Sequence, residues 1–146
     1  MELIMRSSFR LTLSLIVVAW CCSWLAASHT AAQSPQPLKS TMSGVYTEQQ
    51  AAKGEETYMN VCVGCHSAKN YAGKGFVTEW EQRPVAELFD FLTTKMPKGE
   101  AGSLTPREYA ELVAYMLSIN NVPSGKVALP EDYASLAKIL MAFPAK

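Results

Sequence analysis

The sequence predicts an all-α domain, and three observations carry that expectation. Apolar residues recur at helical spacing in two separate stretches, Val85-Leu88-Phe89-Leu92 and Leu112-Val113-Met116-Leu117. Two capping signals, Thr47 with Gln50 and Thr105 with Glu108, stand where helices should begin. No segment shows the alternation of apolar and polar residues expected of a strand.

Length and composition bound the rest. A chain of 146 residues points to one domain. With 49% apolar and 18% charged residues it has a globular rather than a disordered composition. Thirteen basic side chains balance thirteen acidic ones, which argues against a nucleic-acid partner, because that needs a basic surface.

Residues 1–32 have the layout of a secretory signal peptide. Arg6 and Arg10 form a basic head, an apolar run covers 11–27, and Thr30 and Ala32 supply the small residues of a cleavage site after Ala32. The alternative is an uncleaved membrane anchor, for which the run lies at the short end of the roughly 20 residues needed. Cys21 and Cys22 leave with a cleaved leader, and Trp20 before Cys21 is a poor fit to lipid modification. Only Cys62 and Cys65 then remain, which is not a disulfide framework.

Residues 33–44, rich in Ser, Pro, Gln and Thr, read as a flexible lead-in. An ordered domain over 45–125 and a C-terminal extension over 126–146 follow. The first helix is expected over 48–61 behind the Thr47/Gln50 capping box. The second begins at Pro84 as a first helical residue and stops at Met96, because the following Pro97 disfavours helix there. The third starts at Thr105-Pro106 and ends at Asn120-Asn121 before Pro123. A short fourth helix is expected over about 131–141.

Cys62-Val63-Gly64-Cys65-His66 is the C-x-x-C-H sequence of c-type haem attachment. At the end of a helix, each cysteine of that spacing can form a thioether to one vinyl group of a single porphyrin. The next residue, His66, is then aimed at the iron. Two other readings are weaker here. A thioredoxin-like redox pair needs a βαβ context. A structural zinc site needs further Cys or His ligands, and His29, the sole other histidine, lies in the leader.

A second axial ligand has one good candidate among the methionines. Met42 lies in the lead-in, and Met59 is too close to Cys62 on the same helix. Met116 and Met141 sit among apolar residues where core packing is the usual role. Met96 ends a helix and begins the irregular stretch from Pro97 to Gly102, from which a thioether can reach the iron, as in His/Met cytochromes. The other reading is that Met96 only packs beneath the haem.

At these residues the chain resembles the class I, monohaem cytochromes c, over 45–125. Gly54, Tyr58 and Cys62, at four-residue steps, match the glycine and aromatic that let the family's first and last helices cross closely. Leu112-Val113-Ala114-Tyr115 matches the last-helix side of that crossing. The stretch Leu88-Phe89-Asp90-Phe91-Leu92-Thr93-Thr94-Lys95-Met96-Pro97 looks like the ligand-methionine segment of bacterial periplasmic members. Ser103-Leu104-Thr105-Pro106 and Asn121-Val122-Pro123-Ser124-Gly125 are similar to later landmarks. One departure concerns the Gly-Pro-x-Leu segment whose carbonyl accepts the histidine N–H in many members. Between His66 and Trp80 this chain has no proline, which leaves that acceptor unidentified. Trp80 and Arg83 are candidate donors to a haem propionate, with core packing the other reading of Trp80.

The resemblance implies the cytochrome c fold, with helices packed around one covalently attached haem c. It implies a periplasmic electron carrier, not an enzyme, that takes electrons from a dehydrogenase and passes them to an oxidase or other acceptor. Similar cytochromes accompany quinoprotein dehydrogenases, so a fixed subunit of such a complex is an alternative. A five-coordinate haem enzyme or sensor is the other. Membrane association is expected only if the leader is retained as an anchor. Lys69, Lys74, Lys95 and Lys98 fall near the expected haem edge, diluted by Glu79, Glu81 and Glu100.

Overall fold

The computed structural model describes residues 38–145. The leader expected over 1–32 and the first part of the lead-in lie outside the described residues. Helices α1 (Glu48–Thr57), α2 (Lys74–Trp80), α3 (Val85–Lys95), α4 (Pro106–Ile119) and α5 (Tyr133–Leu136) follow in order, with two-residue strands β1 (Lys39–Ser40) and β2 (Ile139–Leu140). The all-α expectation holds, since the strands amount to one short parallel pairing, Lys39 with Ile139 and Ser40 with Leu140.

Helix α4 is the centre of the fold. Its start carries the predicted capping box complete, with Thr105 bonded to the Glu108 amide and the Glu108 carboxylate returning to the Thr105 amide. Tyr109, Ala110 and all six residues from Leu112 to Leu117 are buried, so the helix is covered on nearly every side. Its most extensive contact is with α1. The buried α1 positions Gln50, Ala51 and Gly54 continue to Tyr58 just beyond the helix, one stripe at helical spacing. Gly54 sits where the two backbones meet. A Cβ there would overlap the Glu111 carbonyl and lie 2.9 Å from Tyr115 Cβ. The close crossing expected from Gly54, Tyr58 and Tyr115 is present, with the two tyrosine rings 5.4 Å apart.

Several elements depart from expectation, each for a long-range reason. Thr47 caps α1 through the Gln50 amide at 3.1 Å, but the Gln50 side chain does not complete a box. It instead grips the Leu129 backbone in both directions, donating to its carbonyl at 3.0 Å and accepting from its amide at 2.7 Å. Pro84 is the N-cap of α3 rather than its first residue. Helix α2 was not expected, having few apolar residues and no side-chain cap. Seven residues are too short to be stable alone. Burial of Phe76, edge-on against Phe143 at 6.0 Å, holds it.

The fourth predicted helix shrinks to Tyr133–Leu136, capped by Asp132. Beyond it the chain is extended, with Ile139, Met141 and Phe143 buried and Leu140 and Ala142 less so. That is a strand period, hidden in the sequence because the outer residues are apolar too. Residues 38–44, expected to be flexible, are part of this arrangement. Thr41 is fully buried, and its hydroxyl donates to the Ala142 carbonyl at 2.6 Å and accepts from the Ala142 amide at 2.8 Å.

Candidate functional site

Helix α1 does not stop at Thr57 but widens into a π turn over Tyr58–Cys62, closed by the Val63 amide on the Tyr58 carbonyl at 3.1 Å. Such turns recur at functional sites. Here it delivers the C-x-x-C-H sequence. The Cys65 and His66 amides both bond to the Cys62 carbonyl, at 3.1 and 3.0 Å, folding the motif into a tight turn. Cys62 and Cys65 are free thiols, the first half-buried and the second exposed. Burial pushes the Cys62 thiol up.

All of this faces one cavity, continuous with solvent. Cys62, Cys65 and His66 line it from the α1 side. Leu88, Phe91 and Leu92 of α3 lead along the wall to Met96 at that helix's C-terminal end. Tyr109, Leu112 and Met116 contribute from α4, and Phe76 and Trp80 from α2. Cys62, Cys65, His66, Met96 and Trp80 are thus brought together as the sequence suggests. Met116, expected only to pack in the core, lines the cavity as well as being buried. Met42 and Met59 are exposed and Met141 is fully buried, all three away from the cavity.

Arg83 stands beside the cavity, not in its wall. The guanidinium lies 4.5 Å from the Trp80 ring centroid, on a neighbouring groove. Its Nε donates to Glu87 at 2.6 Å and its Nη1 to Glu79 at 2.8 Å. Two carboxylates thus engage its Nε and Nη1.

The supports of the site escaped the sequence reading. The Tyr58 hydroxyl donates to the His66 carbonyl at 2.6 Å, and burial raises its pKa, which keeps it a donor. The Tyr71 ring stands edge-on to His66 at 5.6 Å and to Tyr58 at 6.2 Å. Asn120, read from sequence only as a helix stop, is a buried latch on the loop after His66. Its amide donates to the Tyr71 carbonyl at 2.7 Å and the Met116 carbonyl at 2.8 Å, and its Oδ1 accepts from the Gly73 amide at 2.8 Å. This latch secures the stretch that lacks the proline-containing segment. Nothing in a single sequence signals it.

The residues fit a haem. The cavity walls are mainly apolar and aromatic, as those of cofactor pockets are. Two free thiols and an imidazole share one wall. A Cβ on Gly64 would meet no protein atom within 4 Å, so the turn leaves open space beside the motif. A zinc reading finds no support, because among the described residues no three His, Cys, Asp or Glu side chains cluster to hold a metal ion.

Residues 49–116 match the family model described as cytochrome c oxidase, cbb3-type, subunit III. The match runs from α1 through the attachment motif and Met96 into α4, and with the helical architecture it gives the cytochrome c fold. It supports a c-type cytochrome, and with it an electron-transfer protein whose cofactor is haem c. No curated protein and no solved structure matches the chain.

Proposed function

We propose that this chain is an exported electron-transfer protein with one haem attached through Cys62 and Cys65 and ligated by His66 and Met96. The observation that carries the reading is the single apolar cavity lined by these four side chains. When bound, the haem supplies a one-electron iron couple. The chain's own residues do the rest. Cys62 and Cys65 would fasten the group, the Tyr58 hydroxyl bond fixes the His66 backbone, and the apolar walls offer it packing surface. With His66 and Met96 both holding the group, the site would offer no position to a substrate, and the chain would need little rearrangement between oxidation states. The thioether also raises the reduction potential, which suits delivery to an oxidase.

The leader supports a periplasmic location, and the matched family's description supports an oxidase as acceptor. A periplasmic dehydrogenase is the proposed donor. A fixed place in a dehydrogenase complex would show as co-purification.

The test is optical. The oxidised holoprotein should show the weak far-red sulfur-to-iron band, and the reduced protein should resist carbon monoxide. Because Met116 also lines the cavity, two variants identify the sulfur. Met96→Ala should abolish the band and admit carbon monoxide, while Met116→Leu should retain the band. A wild-type protein without the band that binds carbon monoxide readily would replace the carrier by a five-coordinate sensor or enzyme.

A further inference from the structure

We propose that Tyr109 is the positioning residue that holds Met96 in place for ligation. This deepens the His/Met reading and rests on it. Tyr109 lies in the first turns of α4, directly behind the completed capping box, so its backbone is on a rigid element. Its ring is 2% exposed and packs edge-on against Phe89 of α3, with centroids 6.3 Å apart. From that fixed ring a single hydroxyl reaches both ends of the loop that begins at Met96. It donates to the Met96 carbonyl at 2.8 Å and accepts from the Gly102 amide at 3.1 Å.

The loop between is otherwise held by its own turns, the Glu100 amide on the Pro97 carbonyl at 2.9 Å and the Ser103 amide on the Glu100 carbonyl at 3.1 Å. Residues 98–103 are exposed, and the chain turns there through Gly99 and Gly102, both at positive φ. Methionine is itself unbranched and adaptable. The sulfur is therefore only as well placed as the backbone that carries it. Removing the hydroxyl leaves the Met96 carbonyl and the Gly102 amide without this partner. Two modest hydrogen bonds are enough to change the loop's open population by about tenfold.

Carbon monoxide must displace Met96, so its apparent affinity follows the open population. Reduced Tyr109→Phe holoprotein should bind carbon monoxide about tenfold more tightly than wild type. Phe89→Leu loosens the same ring's packing but keeps the hydroxyl; it should lower the melting temperature and leave carbon monoxide affinity unchanged. In the wild type, the Gly102 amide should exchange hydrogen more slowly than the neighbouring Gly99 amide. Equal affinity gains in the two variants, or a Gly102 amide that exchanges as fast as Gly99, overturn the inference. If wild type resists carbon monoxide and Tyr109→Phe resists it equally, the inference alone fails. If wild type already binds carbon monoxide freely, the Met96 reading fails and takes the inference with it.

Discussion

Two loops line the cavity, and one helix holds both by opposite ends. The loop after His66 is tied to the C-cap of α4, where the buried Asn120 amide bonds the Tyr71 carbonyl and the Gly73 amide, and Tyr58 adds a third bond at the His66 carbonyl. The loop after Met96 is tied near the start of α4 by one hydroxyl, that of Tyr109. The histidine side is also packed among aromatic rings, whereas residues 98–103 face solvent. The bonds that tie the two loops are part-buried alike, so the difference lies in their number, three against two, and in the ring packing. The lesson is an unequal grip: under stress the methionine side should open first, while His66 stays in place.

The largest expected effect removes the frame that both loops share. Gly54→Ala places a methyl group into the Glu111 carbonyl, a backbone atom that cannot rotate aside. Helices α1 and α4 must separate, and we expect a loss of about 3 kcal/mol or more, measured as a lower urea midpoint of the holoprotein. Both loops should loosen together. A variant within about 1 kcal/mol of wild type would mean that the crossing is not the common support.

Asn120→Ala should separate the loops. It strips partners from the Tyr71 and Met116 carbonyls and the Gly73 amide, and we expect a cost of about 2–3 kcal/mol. Hydrogen exchange should quicken at Gly73 and leave Gly102 unchanged. Equal acceleration at both glycines would show that α4 transmits the defect along its length, and the contrast between its ends would collapse.

The same contrast explains what the sequence made legible. The attachment motif and the α4 cap are local patterns, each set by residues within a few positions of one another, so spacing alone reveals them. The Gly54 crossing joins distant residues and was legible only through the family resemblance. Met96 was legible because a helix ends there and a proline follows. The supports were not, because they join residues far apart in the chain. Asn120 meets Tyr71 across 49 positions, Gln50 meets Leu129 across 79, and Thr41 meets Ala142 across 101. Asparagine after a helix reads as a stop whether or not its amide has distant work. The strand-like tail was concealed for another reason, since Ile139, Leu140, Met141, Ala142 and Phe143 are all apolar and show no period. The Arg83 pairs with Glu79 and Glu87, each four residues away on one helical face, are local and could have been read from spacing.

The smallest expected effect lies at the end of α4 that holds the methionine loop. Bonds from the Thr105 amide and hydroxyl hold the Glu108 carboxyl below its ordinary range. A carboxyl depressed in the folded state stabilises the fold above its unfolded pKa of about 4.3, and that contribution disappears as pH falls through the lowered folded value. Glu108→Gln keeps an oxygen for the Thr105 amide but gives up the charge at the helix N-terminus. We expect it to be less stable than wild type by about 0.5 kcal/mol at pH 7, because the side chain is largely solvated. The deficit should stay constant down to about pH 5 and close as the medium is taken to more acid values. Paired urea titrations across that range would read it. A deficit that widens in acid would mean that the Glu108 charge opposes the cap, and the start of α4 would then be a poorer anchor for Tyr109 than its hydrogen bonds indicate.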